Sequence, residues 1–484
     1  MSVATTLSRQ DGTRQSQWRV PISWGIVSGI WMLLDSIVIL GCGTTSYLFY
    51  VGWSHDNLGI YTGAICFVWI SILVLSQFSG LTEADAVLSP LRVLDRILIV
   101  GATCFLFLLA IAFSLKVSDS FSRVWVYTFA ITTSVTVIGF RFGGALVLRQ
   151  LARSGWLARR VAVFGSGEQA ELFLSQFEDG SNGLSRLVGV FDDRPESVGS
   201  KLSGEPISGE FEDLVSAIRR GEVDDVVVAL PWCAEEHLTD VVSHLQELPV
   251  NIYLGFDLVA YKYRFRGSPS HFAGLNLVEI VDTPLSGWRV VIKASEDRVL
   301  AAALLILTMP VFLIVALAIR VDSPGPVFFR QTRYGFNNKK FSIYKFRSME
   351  HRNETDGRTV QATQNDPRVT RVGRILRKTS LDELPQFLNV LNGTMSLVGP
   401  RPHAVDHNED YAKVIRGYFA RHNMKPGITG LAQVNGLRGE TDTIEKMKER
   451  VRYDVFYTDN WSLWLDLRIL FKTAYAVWFC KNAY

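Results

Sequence analysis

Two adjacent carboxylates in an arginine-rich stretch are the residues of this chain best suited to chemistry. Asp382 and Glu383 stand at the predicted start of a helix, with Pro385 in its first turn. The cations around them are Arg368, Arg371, Arg374, Arg377, Lys378 and Arg401. Such cations keep carboxylates ionised and bind phosphate oxygens, and an ionised carboxylate can attack phosphorus. The sequence therefore predicts a site that handles a phosphorylated ligand.

Local patterns around this site leave structural alternatives open. Ser380-x-x-Glu383 also fits a helix capping box, in which Glu383 binds backbone and does no chemistry. Lys345 and Arg347 alternate with apolar Phe346, as on a strand, so one face presents two cations to a shared ligand. A basic edge strand that avoids aggregation is the other interpretation of these two residues.

Composition indicates that a membrane part and a globular part must position these residues. The 484 residues suggest about three domains, and 48% of them are hydrophobic. Residues 158–258 hold 19 Asp and Glu against 7 Lys and Arg, whereas residues 321–484 hold 26 Lys and Arg against 17 Asp and Glu. A basic region beside lipid favours phosphate headgroups or nucleotide phosphates over nucleic acid. The five cysteines have neither metal-ligand nor disulfide spacing.

Four apolar runs within residues 21–150 are each long enough to cross a bilayer. Residues 1–20 are predicted to be a disordered cytoplasmic tail. Arginines precede the first run and follow the fourth, and the first loop has neither Lys nor Arg. This charge pattern predicts four transmembrane helices with both ends in the cytoplasm.

A fifth apolar run, residues 298–320, contains Pro310 near its centre and has basic residues beyond both ends. Proline removes a helical hydrogen bond and bends a helix, so a segment broken there can enter one leaflet and return. We therefore expect a re-entrant membrane helix. A fifth spanning helix is the alternative.

The middle region, residues 158–255, alternates strand-like and helix-like segments and predicts a Rossmann-like domain. Its first strand is followed by Gly165-Ser166-Gly167-Glu168-Gln169-Ala170, a G-x-G-x-x-A turn. Such a turn allows backbone to approach a pyrophosphate, but the motif is weakly specific, so a retained fold that serves packing, regulation or association is the preferred interpretation and nucleotide binding is the alternative. No cofactor is predicted here, and residues 256–292 are interpreted as a connector, either at the membrane interface or as a soluble linker.

The motifs of the C-terminal region together resemble the bacterial polyprenyl-phosphate hexose-1-phosphate transferases, which are membrane enzymes that begin polysaccharide assembly. The matching segments include Lys293, Asp297, Arg298, Pro310, 324–326, 344–347, 382–386, 399–402, 425–431, Tyr453 and Asp454. The N-terminal helices and the Rossmann-like middle resemble the large form of this family. The resemblance implies a monotopic α/β catalytic domain, residues 293–484, on the cytoplasmic face of the bacterial inner membrane.

The resemblance also implies a two-step transfer. Asp382 would attack the sugar-side phosphate of a UDP-hexose, release UMP and carry the phosphosugar until undecaprenyl phosphate attacks it. Glu383 would ligate Mg²⁺, because hard carboxylate oxygens suit that ion. The residues expected to hold phosphate oxygens are Lys345, Arg347, Arg377 and Arg401.

Several points stay open at this stage. Within the family, glucose 1-phosphate is the expected group and galactose 1-phosphate the alternative. A membrane nucleotide-sugar dehydratase with bound NAD would also combine four helices with a Rossmann domain, yet no Tyr-x-x-x-Lys occurs in the sequence. A non-enzymatic membrane scaffold is a further class. The expected partners are UDP-hexose, undecaprenyl phosphate and membrane lipid, without nucleic acid, and self-association is open.

Overall fold

The computed structural model divides the chain into two compact units, Met1–Ala158 and Arg159–Tyr484. It describes residues 24–52, 58–117, 122–154, 158–180, 185–194, 201–231, 235–255, 270–272, 275–281, 283–350, 366–403, 411, 414–415, 417–437 and 443–479. The predicted tail, residues 1–20, lies outside these ranges. The predicted site residues all lie inside them.

The first unit is helical. Its helices are α1 (Trp24–Tyr50), α2 (Leu58–Phe78), the short α3 (Ala84–Leu88), α4 (Leu94–Ser114) and α5 (Arg123–Arg153). The four long helices pack around a shared apolar core, and α1 contacts both α2 and α5. Their outer faces expose large apolar side chains such as Phe49, Phe107 and Ile131, as is typical of helices that face lipid. The bounds agree with the apolar runs of the sequence.

A buried ion pair joins the first and last of these helices. Arg141 donates to Asp35 Oδ2 at 2.7 Å and to the Leu81 carbonyl at 3.0 Å, and both side chains of the pair are almost fully buried. Charged side chains inside a bundle of apolar helices are stable when they pair with each other, and this ion pair fixes the packing of α1 against α5.

The second unit begins with a sheet whose centre is parallel. Its strands are β1 (Arg159–Phe164), β2 (Ser185–Phe191), β3 (Lys201–Leu202), β4 (Glu205–Gly209), β5 (Asp225–Val228), β6 (Asn251–Leu254), β7 (Ser270–Phe272) and β8 (Leu275–Val281). They lie in the order β3-β4-β2-β1-β5-β6-β8-β7, in which β4, β2, β1, β5 and β6 are mutually parallel. The helices α6 (Glu168–Gly180), α7 (Phe211–Arg220) and α8 (Glu235–Leu245) complete a doubly wound α/β arrangement.

The structure differs from the expected connector over residues 256–292. β8 pairs antiparallel with β6, and β7 pairs with β8, so part of this segment extends the sheet. The basic and aromatic residues 261–266, which suggested a membrane interface, lie outside the described residues. The strand signal in 275–281 is its content of Leu, Val and Ile, because polar and apolar residues do not alternate strictly there.

The fifth apolar run belongs to a longer helix, α9 (Trp288–Asp322), which contains Pro310. By length and composition it and four helices of the first unit, among the described residues, could each cross a membrane. Thr308, two residues before Pro310, donates from its Oγ1 to the carbonyl of Leu304, one helical turn earlier, at 2.7 Å. Only 11% of the most apolar 18-residue stretch of α9 is buried in the protein, so most of the surface of that stretch is available to lipid.

Beyond α9 the chain forms a compact α/β region. Its elements are the hairpin β9 (Phe328–Tyr334) and β10 (Lys340–Phe346), α10 (Arg371–Thr379), α11 (Gln386–Leu391), the parallel pair β11 (Ser396–Val398) and β12 (Gly427–Thr429), and then α12 (Leu431–Val434), α13 (Ile444–Asp459) and α14 (Leu463–Phe479). Their apolar core includes Ile343, Val398 and Tyr457 and extends to Ala301 of α9.

Buried charges fasten the first half of α9 to this region. Lys293 Nζ donates to Asp466 Oδ2 of α14 at 2.6 Å and to Asp297 Oδ1 at 3.2 Å. Asp297 Oδ1 in turn accepts from the Ser396 hydroxyl and the Leu397 amide, both at 2.9 Å. The pattern Lys293-x-x-x-Asp297 thus places β11, and with it the residues that follow β11, against α9.

Candidate active site

The two carboxylates lie in a single turn of 3₁₀ helix, Leu381–Glu383, between α10 and α11. Ser380 enters this turn with a left-handed backbone, φ 56°, so the chain reverses sharply after α10. Asp382 is 8% exposed. Toward the described residues its carboxylate forms no hydrogen bond, whereas the side chain of Glu383 is held on two sides. Adjacent residues therefore have different surroundings.

Lys345 of β10 is the first partner of Glu383. Its Nζ donates to Glu383 Oε1 at 3.0 Å. Asn389 of α11 aligns the strand for this contact, because it accepts from the Tyr344 amide at 2.9 Å and donates to the Ser342 carbonyl at 2.8 Å. The buried amide thus fixes the register of β10 against the helix that follows the carboxylates.

Arg401 is the second partner. Its Nη2 donates to Glu383 Oε1 at 2.8 Å. Arg401 follows β11 through Gly399 and Pro400, and the backbone here passes so close to β12 that a Cβ on Gly427 would lie 2.1 Å from the Gly399 nitrogen. The glycines of the two motifs therefore allow a backbone crossing that brings Arg401 to the carboxylates.

The charges push the pKa values of the two carboxyl groups apart. Burial raises the pKa of Asp382, Glu383 adds to that rise, and Lys345, Arg401 and Arg377 oppose it. Burial would also raise the pKa of Glu383, but Arg401 and Lys345 hold it well below its ordinary range. Pairs with separated pKa values are typical of catalytic carboxylates that have different tasks. Asp382 is the more basic of the two and the one whose oxygens are not committed to a described partner.

The four predicted phosphate-binding residues divide into two groups. Lys345, Arg401 and Arg377 lie near the carboxylates; Arg377 is on α10, and its charge acts on Asp382. The structure does not bring Arg347 to them. Its buried guanidinium donates to the carbonyls of Ser323 at 2.7 Å and Pro324 at 2.9 Å, and to the Ser323 hydroxyl at 2.9 Å.

Arg347 therefore closes the carboxyl end of α9, where helix carbonyls have no intrahelical partner. The expectation that it shares a ligand with Lys345 followed from strand alternation, but β10 ends at Phe346, one residue before it. The capping-box alternative also differs from the structure, because no side chain caps the turn that begins at Ser380, and the Glu383 carboxylate points to cations.

A second layer of buried polar residues supports Arg401, and of these residues the sequence motifs included only Asp454. Arg421 Nη2 donates to the Arg401 carbonyl at 2.7 Å and forms an ion pair with Asp454 Oδ2 at 2.7 Å. Arg421 Nη1 lies 2.7 Å from His403 Nδ1, so this nitrogen acts as an acceptor and the ring is neutral. Burial, Arg421 and Arg450 lower the pKa of His403 well below its ordinary value.

The glycine turn of the middle domain has the backbone that its sequence predicts. Gly165 has φ +111°, and a Cβ there would lie 2.8 Å from the Ala229 carbonyl oxygen. The side chains around it bind one another: Ser166 donates to Asp192 at 2.6 Å, and Arg194 donates to Asp192. Asp192 keeps a lowered pKa because Arg194 and Ser166 outweigh the effect of its burial.

Comparison with known proteins assigns this chain to a protein family. The model of the bacterial sugar transferase family matches residues 288–480, and that of a CoA-binding domain matches residues 77–255. The UDP-glucose:undecaprenyl-phosphate glucose-1-phosphate transferase of Escherichia coli (strain K12) is 41% identical over 375 residues, which cover 76% of this chain and 77% of that protein. The chain belongs to the bacterial sugar transferase family.

Two further relatives with the same name support this assignment. The protein of Klebsiella pneumoniae is 42% identical over 69% of this chain and 70% of its own length. The protein of Xanthomonas campestris pv. campestris is 37% identical over 77% of this chain and 78% of its own length. The similarity thus extends well beyond the catalytic region, and the predicted family resemblance is confirmed.

The donor set fits a magnesium ion that takes part of its coordination from substrate. Among the described residues no group of three or more His, Cys, Asp or Glu side chains could hold a metal alone. Mg²⁺ is commonly bound by one or two carboxylates together with substrate phosphates and water. Glu383, ionised and adjacent to Asp382, supplies such an oxygen, although Lys345 and Arg401 now share it.

Proposed function

We propose that this protein transfers glucose 1-phosphate from UDP-glucose to undecaprenyl phosphate, giving undecaprenyl-diphosphate-glucose and UMP. The observation that carries the proposal is that the pKa of Asp382 is raised while that of its neighbour Glu383 is lowered by surrounding cations. These residues belong to the same unit as α9, a helix long and apolar enough to cross a membrane. The names of the relatives supply the donor and the acceptor. The reaction would be the initiating step of exopolysaccharide synthesis.

In the first half-reaction an Asp382 Oδ atom forms a bond to the sugar-side phosphorus of the donor. The bond from that phosphorus to the bridging oxygen breaks, and UMP leaves with the bonding electrons. A carboxylate with a raised pKa and no described hydrogen bond is the better nucleophile of the pair, because its electrons are not committed to a donor. In the second half-reaction a phosphate oxygen of undecaprenyl phosphate attacks the same phosphorus, and the bond to Asp382 breaks.

The cations supply electrostatic stabilisation. Lys345 and Arg401, which contact Glu383, would donate to phosphate oxygens, and the charge of Arg377 on α10 acts on Asp382. When bound, Mg²⁺ would neutralise phosphate charge near Glu383 and so ease the approach of an anionic nucleophile. Arg347, by closing α9, keeps the membrane helix in register with the strand that carries Lys345.

The same proposal includes the membrane arrangement. The four long helices of the first unit would span the bacterial inner membrane, and α9 would enter the cytoplasmic leaflet and return, bent near Pro310. Support comes from the exposed apolar surface of α9, the Thr308 hydrogen bond to the preceding turn, and positive charge beyond both ends of the apolar run. Lipid phosphate at headgroup depth and nucleotide sugar from water would then meet at the site between α10 and α11.

Enzyme assays test the reaction directly. The purified chain in nanodiscs with undecaprenyl phosphate and Mg²⁺ should release UMP from UDP-glucose, and a panel that includes UDP-galactose measures the choice of sugar. Asp382→Asn should release no UMP above background, because an amide does not form the phosphoryl adduct. UMP release by Asp382→Asn at the wild-type rate would contradict the assignment of the nucleophile.

Cysteine labelling tests the membrane arrangement. In a chain whose five native cysteines are replaced by alanine, Lys340→Cys should resist an impermeant thiol reagent in intact cells and react after lysis. His55→Cys, between α1 and α2 in the sequence, is the control that should react in intact cells. Strong labelling of Lys340→Cys before lysis would mean that α9 spans the membrane.

A further inference from the structure

The middle domain contacts the catalytic region at the tip of the hairpin that carries Lys345. This tip, Phe336–Asn338, joins β9 to β10, and both regions belong to one compact unit. Asn337 Nδ2 donates to the Ile218 carbonyl at 3.0 Å and to the Arg219 carbonyl at 3.2 Å, at the carboxyl end of α7. Carbonyls in the last turn of a helix need partners from outside it, so the buried Asn337 amide completes the end of α7.

The sequence of the tip suits both this contact and the turn. Asn337 and Asn338 have left-handed backbones, with φ 51° and 54°, a conformation that asparagine adopts more readily than most residues other than glycine. Lys339 Nζ lies 3.4 Å from the position that a Cβ on Gly221, the residue after α7, would occupy. A cation near the negative end of a helix dipole stabilises the contact further.

A second contact joins the end of α8 to the 3₁₀ helix Tyr418–Asn423. Glu247 Oε1 accepts from the Gly417 amide at 2.9 Å, at the start of this 3₁₀ helix. Asn423 Nδ2, at its end, donates to the Gln246 carbonyl at 3.3 Å. Since these two partners directly follow α8, the middle domain holds the 3₁₀ helix at both ends.

Both contacts lead to the cations that hold Glu383. β10 begins two residues after the tip and carries Lys345, whose Nζ donates to Glu383 Oε1. The 3₁₀ helix carries Arg421, which donates to the carbonyl of Arg401, the other partner of this carboxylate. The tip and the 3₁₀ helix also contact each other. Two routes of direct contacts therefore connect the middle domain to one carboxylate.

We infer that the middle domain positions Lys345 and Arg401 for the transfer reaction, and that Asn337 and Glu247 are the positioning residues through which it acts. This inference rests on the proposed function. Cations that are held in place before a phosphorylated ligand arrives lose less conformational freedom when they bind it. The middle domain therefore contributes to donor affinity through the catalytic region.

Hydrogen–deuterium exchange of the full chain in nanodiscs, without ligand, tests the connection itself. Asn337→Gly removes the amide but keeps a residue that accepts φ 51°, so residues 340–346 should exchange at least about threefold faster. Asn338→Gly is the matched control in the same turn, because Asn338 Oδ1 has no hydrogen-bond partner among the described residues, and it should leave this exchange unchanged. Equal exchange in Asn337→Gly and wild type would overturn the role of Asn337.

Binding of UDP-glucose tests what the connection does. Calorimetry on the Asp382→Asn chain in nanodiscs measures donor affinity without turnover, and adding Asn337→Gly should raise the dissociation constant about threefold to tenfold. Partial unfolding alone would lower the number of binding sites and leave the dissociation constant unchanged. In a Lys345→Met background Asn337→Gly should change the constant by less than about twofold, because it acts through Lys345. A full effect in that background would overturn this route.

Glu247 tests the second route independently. Glu247→Met removes the acceptor of the Gly417 amide, so it should speed exchange in residues 418–423 and weaken UDP-glucose binding. Glu247→Gln keeps a side-chain oxygen and should behave as wild type in both measurements. If Asn337→Gly does not fold, this pair of variants decides the inference, and equal results for Glu247→Met and Glu247→Gln would overturn it.

The outcomes separate this inference from the proposed function. Faster exchange together with an unchanged dissociation constant would overturn the positioning role and leave the proposed function intact. A chain that neither binds UDP-glucose nor releases UMP would refute the proposed function. The exchange of residues 340–346 and 418–423 would then by itself support or overturn the role of the middle domain.

Discussion

Arg347→Met provides the sharpest test of how the catalytic region is held to its membrane helix. The guanidinium makes three hydrogen bonds of 2.7 to 2.9 Å to Ser323 and Pro324, just past the end of α9. At about 1 kcal/mol net for each bond, their loss should cost roughly 3 kcal/mol of unfolding free energy. For a cooperative unit of about 200 residues this lowers the unfolding midpoint by about 6 to 12 °C.

Thermal unfolding followed by intrinsic fluorescence in nanodiscs measures this change. Arg374→Met, an exposed arginine of α10, is the control and should leave the midpoint within about 1 °C. In steady-state kinetics Arg347→Met should lower kcat/KM for donor and acceptor alike, because it loosens the scaffold. An unchanged midpoint together with a loss confined to the donor would refute this reasoning and return Arg347 to the phosphate-binding role expected from strand alternation.

Three further changes test the site. Glu383→Gln should lower turnover and weaken its dependence on Mg²⁺ together, and an unchanged metal titration would remove Glu383 from the metal role. Because burial raises the pKa of Asp382, activity should fall on acidification at a pH above the ordinary aspartate value of about 3.9. Arg377→Gln removes an opposing charge, so it should move this fall in activity to higher pH. An acidic side of the pH–rate profile that stays in place would contradict the effect of Arg377 on Asp382. Gly427→Ala places a Cβ 2.1 Å from the Gly399 nitrogen, so it should cost about 1–3 kcal/mol of stability and displace Arg401, whereas wild-type turnover and midpoint would show that the crossing tolerates a methyl group.

Much of this architecture could be predicted from sequence because its signals are local. Long, mostly apolar runs predict the four long helices within a few residues, and the Gly165-x-Gly167 turn marks the strand-to-helix transition of the parallel sheet. Asp382, Glu383, Lys345 and Arg401 were identified by chemical type and family motif, and the structure brings these four together.

The remainder depended on contacts that local patterns do not encode. Whether Arg347 faces a ligand or a helix end depends on where α9 stops relative to β10, and Arg347 lies 24 residues along the chain from Ser323, whose carbonyl it binds. Ser380-x-x-Glu383 has the spacing of a capping box, yet the left-handed backbone at Ser380 and two distant cations redirect Glu383. Arg421 became recognisable only when folding placed its guanidinium against the Arg401 carbonyl. Part of the segment predicted to be a connector, residues 256–292, forms β8 and pairs with β6. No sequence pattern indicates which strand lies at the edge of a sheet and can accept another strand.

The central claim is that Asp382 becomes covalently bonded to the phosphorus of the donor. The direct measurement is to mix the protein with UDP-glucose labelled in the sugar, without acceptor, quench it in cold acid and identify the labelled peptide by mass spectrometry. We predict label on the peptide that contains Asp382, its loss when undecaprenyl phosphate is added, and none in Asp382→Asn. Lipid product that accumulates while no labelled Asp382 peptide is recovered would contradict the account.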